Sequence, residues 1–319
     1  MTHQGKSAVT FIAIGLLIYA GLYLAAERLM YRNGHSNPFF KITMATHKDF
    51  EWVILGASHA MPLDFSDFNN QMQDQTGLKI INLASPGTGP LYNRFVLEAF
   101  VKEHSVRNVL YIADSFAFYS RVWNEDRFND SKMIRATPLT RNTTELLWHH
   151  STSDHVDPRS LLDYLTGFSK INNRDRFQKD VWEGELQFDR VYRSSASAIK
   201  SRVSYLFPSG DREAALARYI AQFGKLLDTA STQNVRVVVI KMPVPAAFRS
   251  ALPNEQAFDQ ALRGALAARG IDLQDFSGEL DEPQFYFDTD HLNRAGVSEL
   301  FARYLKALLM KPGSLPPSS

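Results

Sequence analysis

The sequence predicts an α/β protein: a three-layer α/β/α arrangement on a mostly parallel sheet of about five strands, with a central insertion and an N-terminal apolar helix. Three observations carry this. Short runs rich in β-branched residues alternate with stretches of helical spacing, the middle of the chain breaks that rhythm, and the N-terminus holds a long uncharged apolar run.

That run, Ala8 to Ala26, has 19 residues without a charge, close to the roughly 20 that cross a bilayer as a helix. A cleaved signal peptide is the alternative, but its apolar part is about 7 to 15 residues and ends at an A-x-A-like site. Leu24, Ala25 and Ala26 fit such a site poorly, so residues 1–28 are assigned to an uncleaved anchor. Lys6 precedes the span and Arg28 and Arg32 follow it, which leaves orientation open on charge alone. Residues 29–49 carry Asn-Gly and Asn-Pro and read as a linker.

The alternation begins near Phe50. The runs 52–56 (WVILG), 79–84 (KIINLA) and 108–114 (NVLYIAD) read as strands, and between the last two Leu91, Phe95, Val96, Ala99 and Phe100 make one helical face. The pattern returns at 235–245 (VRVVVIKMPVP), a short strand around IDLQDFS, and a closing helix, AGVSELFARYLKALLM. Strands separated by helices imply a parallel sheet covered on both faces. Residues 50–310 therefore form the α/β domain. Residues 120–212, polar and holding Trp123, Trp148, Trp182 and Tyr192 without clear period, form an insertion over one end of the sheet. Residues 311–319 are a Pro- and Ser-rich disordered tail.

Composition narrows the function. With 35 basic and 34 acidic residues and no long basic run, no electrostatic footprint for nucleic acid is present. The absence of cysteine excludes a disulfide framework, a thiolate zinc site and a cysteine nucleophile. No Gly-rich phosphate loop occurs, and no cofactor is implied.

Chemistry gathers at three places. Gly56, Ala57 and Ser58 end the first strand, where α/β enzymes keep a nucleophile; read alone, Ser58 is equally an ordinary turn residue. Asp288 stands three residues before His291 at the mouth of the last helix, a spacing that puts acid and base on one rim. Asp290 competes for the acid role, but adjacency to His291 should turn its side chain away. Gly87 and Gly89, after the second strand, allow close backbone approach and N–H groups aimed at an oxyanion.

Together these stretches resemble the SGNH (GDSL-like) hydrolase superfamily, over about 50–120 and 235–310. Gly56-Ala57-Ser58 matches its first block, Asn82 and Gly87 its second, and Asp288 and His291 its final D-x-x-H. The third block departs: where the family has G-x-N-D, this chain has Ala113-Asp114-Ser115-Phe116, with Ser115 the nearest substitute for the oxyanion-hole Asn. The resemblance implies Ser58, Asp288 and His291 as a catalytic triad and Ser58, Gly87 and Ser115 as the oxyanion hole. The anchor, the altered third block and the insertion look like the membrane-anchored branch that modifies cell-envelope polysaccharides, including the alginate acetylation and teichoic acid D-alanylation proteins. That branch implies an acyl donor supplied by a membrane-bound O-acyltransferase, a polysaccharide acceptor, and a single-pass protein of the bacterial inner membrane facing the periplasm or exterior.

Two functions follow: an O-acyltransferase or carbohydrate esterase, and a catalytically weak scaffold that binds glycan or recruits a membrane partner. Other features carry less. His59 reads as structural or rim-lining, His149, His150 and His155 as a solvated loop rather than a metal site, and the sequon at Asn142 is too common a match to use.

Overall fold

The computed structural model describes residues 3–33, 36–178 and 181–311. Five strands pair in parallel in the order β2-β1-β3-β4-β5, with β1 Asp49–Leu55, β2 Ile80–Asn82, β3 Ser105–Ile112, β4 Arg236–Lys241 and β5 Leu273–Asp275. Alternate side chains face opposite ways. Val53, Leu55, Val109, Tyr111, Val237 and Val239 enter one core, and Trp52, Ile54, Leu110, Ile112, Val238 and Ile240 the other.

The first core is closed by α4 (Pro90–Glu103) and the helices Arg212–Thr232 and Glu255–Ala267, the second by α3 (Phe68–Thr76) and the helix Arg294–Leu300. This is the expected three-layer α/β/α fold. Its strand order reverses between β1 and β3, and the crevice outside the carboxyl ends of strands at such a reversal is where this class of sheet binds ligands. Ser58 follows β1 there, and Asp114 and Ser115 follow β3.

The turn after β1 depends on Gly56. Its φ is +148°, and a Cβ there would lie 2.9 Å from the Ile112 carbonyl oxygen of β3. Gly56→Ala is expected to destabilise the fold by about 1–3 kcal/mol, from backbone strain plus overpacking, read as a lower midpoint in chemical denaturation.

Residues 29–49 are not a linker. The helix α1 (His3–Asn33) runs through the first of them, and α2 (Pro38–Met44) buries Phe39, Phe40 and Ile42 against the domain. The Asn-Pro pair that suggested a turn is a helix start: the Asn37 side chain accepts N–H bonds from Phe39 and Phe40, and Pro38 takes the first helical position.

Within 120–212 the polar residues likewise act as caps. Asp130, Thr140, Asp157 and Ser195 open helices at Ser131–Arg135, Arg141–Ser153, Pro158–Thr166 and Ala196–Leu206. The proposed tail beyond Lys311 lies outside the described residues.

Candidate active site

Ser58, His291 and Asp288 come together from opposite ends of the chain. His291 Nε2 lies 2.8 Å from Ser58 Oγ, and its Nδ1 lies 2.8 Å from Asp288 Oδ2. An Nδ1–H donated to the carboxylate leaves Nε2 to accept the serine proton, the tautomer a base needs. Asp288 is oriented by its own turn: its Oδ1 accepts the backbone N–H groups of Asp290 and His291 at 3.0 and 2.8 Å. Burial would raise its pKa, but His291 holds the carboxyl below its ordinary value.

Asp290 does not simply turn away. Its Oδ1 is 3.6 Å from His291 Nδ1, longer than a hydrogen bond, and its oxygens are taken by Arg202 Nε at 2.9 and 3.0 Å and His59 Nε2 at 3.2 Å. It is fully buried. Burial alone would raise its pKa, yet His291, Arg202 and His59 hold it far below the carboxylate range.

His59, expected to be structural or at the rim, is a buried bridge. Its Nδ1 is 2.6 Å from Asp114 Oδ1 and its Nε2 faces Asp290, so both ring nitrogens have carboxylate acceptors. Burial pulls its pKa down, but Asp114 and Asp290 override that and hold it at about 10. At neutral pH it is an imidazolium, its ring centroid 4.8 Å from that of His291. The charged form stabilises the fold fully below the ordinary value of 6.5, and this contribution is lost as pH rises through about 10. The stability difference between the wild type and His59→Gln, measured by denaturant titration, is therefore expected to shrink between those limits.

Asp114, Asp290 and Asp288 thus surround the two histidines together with Arg202. Sequence reasoning missed this network because its partners are 55 and 231 residues apart; the one local signal was a histidine beside the candidate serine. His59, Asp290 and His291 also lie close enough to hold a cation, but their donor atoms are engaged by Asp114, Arg202, Ser58 and Asp288.

Gly87 sits in a turn tied to the first strand's exit: Ser85 N–H and Thr88 Oγ1 both donate to Gly56 O, at 3.4 and 3.0 Å. Its φ is +60°, and a Cβ would meet the Trp123 ring at 2.7 Å. Among the described residues, the Ser58 and Gly87 N–H groups have no hydrogen-bond acceptor. Asn82 braces the region, accepting from Ala84 N–H at 3.0 Å and donating to Ala60 O at 2.8 Å. Ser115 is buried at the start of a short helical turn, and with His59 and Asp114 it lines a cavity of about 120 Å³.

Ser58 is only 5% exposed, not open as a strand-end residue would be. The insertion packs around its base: Trp182 lies edge-on to His291 at 5.2 Å, next to Phe287, which stacks on the same ring at 5.5 Å, and Arg202 reaches in to Asp290. His150 is no solvated residue either. It is buried with Arg94, Glu98 and Asp154 in a structural ion cluster, while His149 and His155 are exposed. Asn142 donates to Glu103.

No family model and no curated protein matches the chain. Among solved structures, one from Bacteroides fragilis NCTC 9343, assigned as an acylhydrolase, matches at 10% identity and a TM-score of 0.40, covering 83% of this chain and 89% of that one. Another, assigned as a platelet activating factor from Streptococcus pneumonia, matches at 14% identity and a TM-score of 0.38, covering 95% and 99%. The functional reading rests on the site's own geometry.

Proposed function

We propose that the protein is a membrane-anchored serine acyltransferase or esterase of SGNH type, with Ser58 as nucleophile, His291 as base and Asp288 as its orienting acid. The observation that carries this reading is the Ser58–His291–Asp288 hydrogen-bonded chain at the switch point of the sheet. Ser58 Oγ attacks an acyl carbonyl while its proton passes to His291 Nε2. The N–H groups of Ser58 and Gly87 are assigned to hold the developing oxyanion, with Ser115 as the proposed third donor. Collapse expels the leaving alcohol, which takes the proton from His291, and leaves an acyl-serine. A second hydroxyl, from water or a sugar, then gives its proton to His291 and bonds to the acyl carbon; the bond to Ser58 Oγ breaks, and the serine takes the proton back from His291.

A polysaccharide is the proposed acceptor and a membrane-bound O-acyltransferase the proposed source of the acyl group, with the domain on the periplasmic side of the bacterial inner membrane. What supports transfer over hydrolysis is the burial of Ser58, because an acyl-serine shielded from bulk water survives until an acceptor arrives. The test is partition. Detergent-solubilised full chain turning over p-nitrophenyl acetate should yield O-acetylated sugar when oligosaccharide is added; acetate alone at every oligosaccharide concentration would reduce the reading to an esterase.

A further inference from the structure

The helix Pro158–Thr166 and the turn after it are built inside out for water. Leu161 and Tyr164 face the core, while Leu162, Leu165 and Phe168, spaced by three, are 62%, 46% and 61% exposed. This face adjoins α1. Tyr19 donates to Thr166 O at 3.0 Å, Tyr23 lies against Gly167, and Glu27 pairs with the buried Lys170 and accepts from Leu139 N–H.

We infer that this face, Leu162, Leu165 and Phe168, is buried in the lipid bilayer beside α1, so that the insertion as well as the anchor holds the domain on the membrane. The inference rests on α1 spanning the bilayer, and the helix's length then sets the depth. The uncharged segment Ser7 to Ala26 is 20 residues, about 30 Å of helix and just the thickness of the hydrocarbon core. Were Tyr19 lifted into water, Ser7 to Ile18 would remain, 12 residues and about 18 Å, too short to span. Tyr19 is therefore within the bilayer, roughly 12 Å of helix from Glu27, and Thr166, bonded to it, is held at the same level.

Local chemistry agrees. Asp163, the acid of that helix, has its carboxylate occupied by Ser169 N–H and Oγ–H, at 2.8 and 2.5 Å. Lys170 is neutralised by Glu27. Exposed Arg159, in the helix's first turn, is paired with Asp157, and exposed Arg28, beside Glu27, suits a lipid phosphate.

The native chain has no cysteine, so single cysteines at these exposed positions report cleanly. Full-length Leu165→Cys and Phe168→Cys, labelled with bimane and reconstituted in phosphatidylcholine/phosphatidylglycerol vesicles, are compared with and without doxyl-labelled lipid. Phe11→Cys, inside the uncharged span, serves as the in-bilayer reference and Ser298→Cys, exposed on the far face of the sheet, as the aqueous reference. Quenching at 165 and 168 is expected to approach that at 11 and to exceed that at 298 several-fold. Quenching at 11 but not at 165 or 168 would overturn the inference alone. Its absence at 11 would overturn the spanning helix and the inference with it.

Discussion

Ser58→Ala is expected to abolish p-nitrophenyl acetate turnover, by roughly 10⁴ to 10⁶-fold in kcat if the three residues act as a unit. The serine contributes its oxygen to one hydrogen bond, with His291, and replacing it with alanine in this buried site leaves packing nearly intact. Unfolding should therefore change by no more than about 1 kcal/mol. His291→Ala should cost as much activity, and the double variant little more, because neither residue works without the other. Independent multiplicative losses would contradict a shared proton transfer.

The second large effect separates the two aspartates. Asp288 is 35% exposed and faces the histidine, so Asp288→Asn should lower kcat by roughly 10³ to 10⁴-fold through the wrong tautomer, with stability barely changed. Asp290 is fully buried between Arg202 and the His59 imidazolium. Asp290→Ala leaves both cations short of a partner and should destabilise the fold by about 3–5 kcal/mol. Thermal unfolding and steady-state kinetics on both variants check the assignment. Asp290→Ala that is stable but inactive, beside active Asp288→Asn, would move the acid role to Asp290.

Much of this was readable in the sequence. Four of the five strands are short runs holding β-branched residues, β5 (LQD) being the exception, and parallel pairing follows from the helices between them. Ser58, Asp288 and His291 were legible because each stands at a strand or helix end where side chains point into a crevice. What local pattern hides is partnership across the chain. Nothing in Asp114 or Arg202 announces the charge cluster below His291, and the aperiodic insertion gave no sign that Trp182 packs against that histidine. Asn37-Pro38 shows a further limit, because one dipeptide serves a turn or a capped helix start, and burial of Phe39 and Phe40 decides between them.

The central claim is that Ser58 carries the acyl group. The most direct measurement is peptide mass spectrometry of the full chain, quenched in acid during p-nitrophenyl acetate turnover, beside the His291→Ala variant. An acetyl group on Ser58 in the wild type and none in the variant is the expected result. Turnover with Ser58 unmodified, or equal labelling without His291, would contradict it.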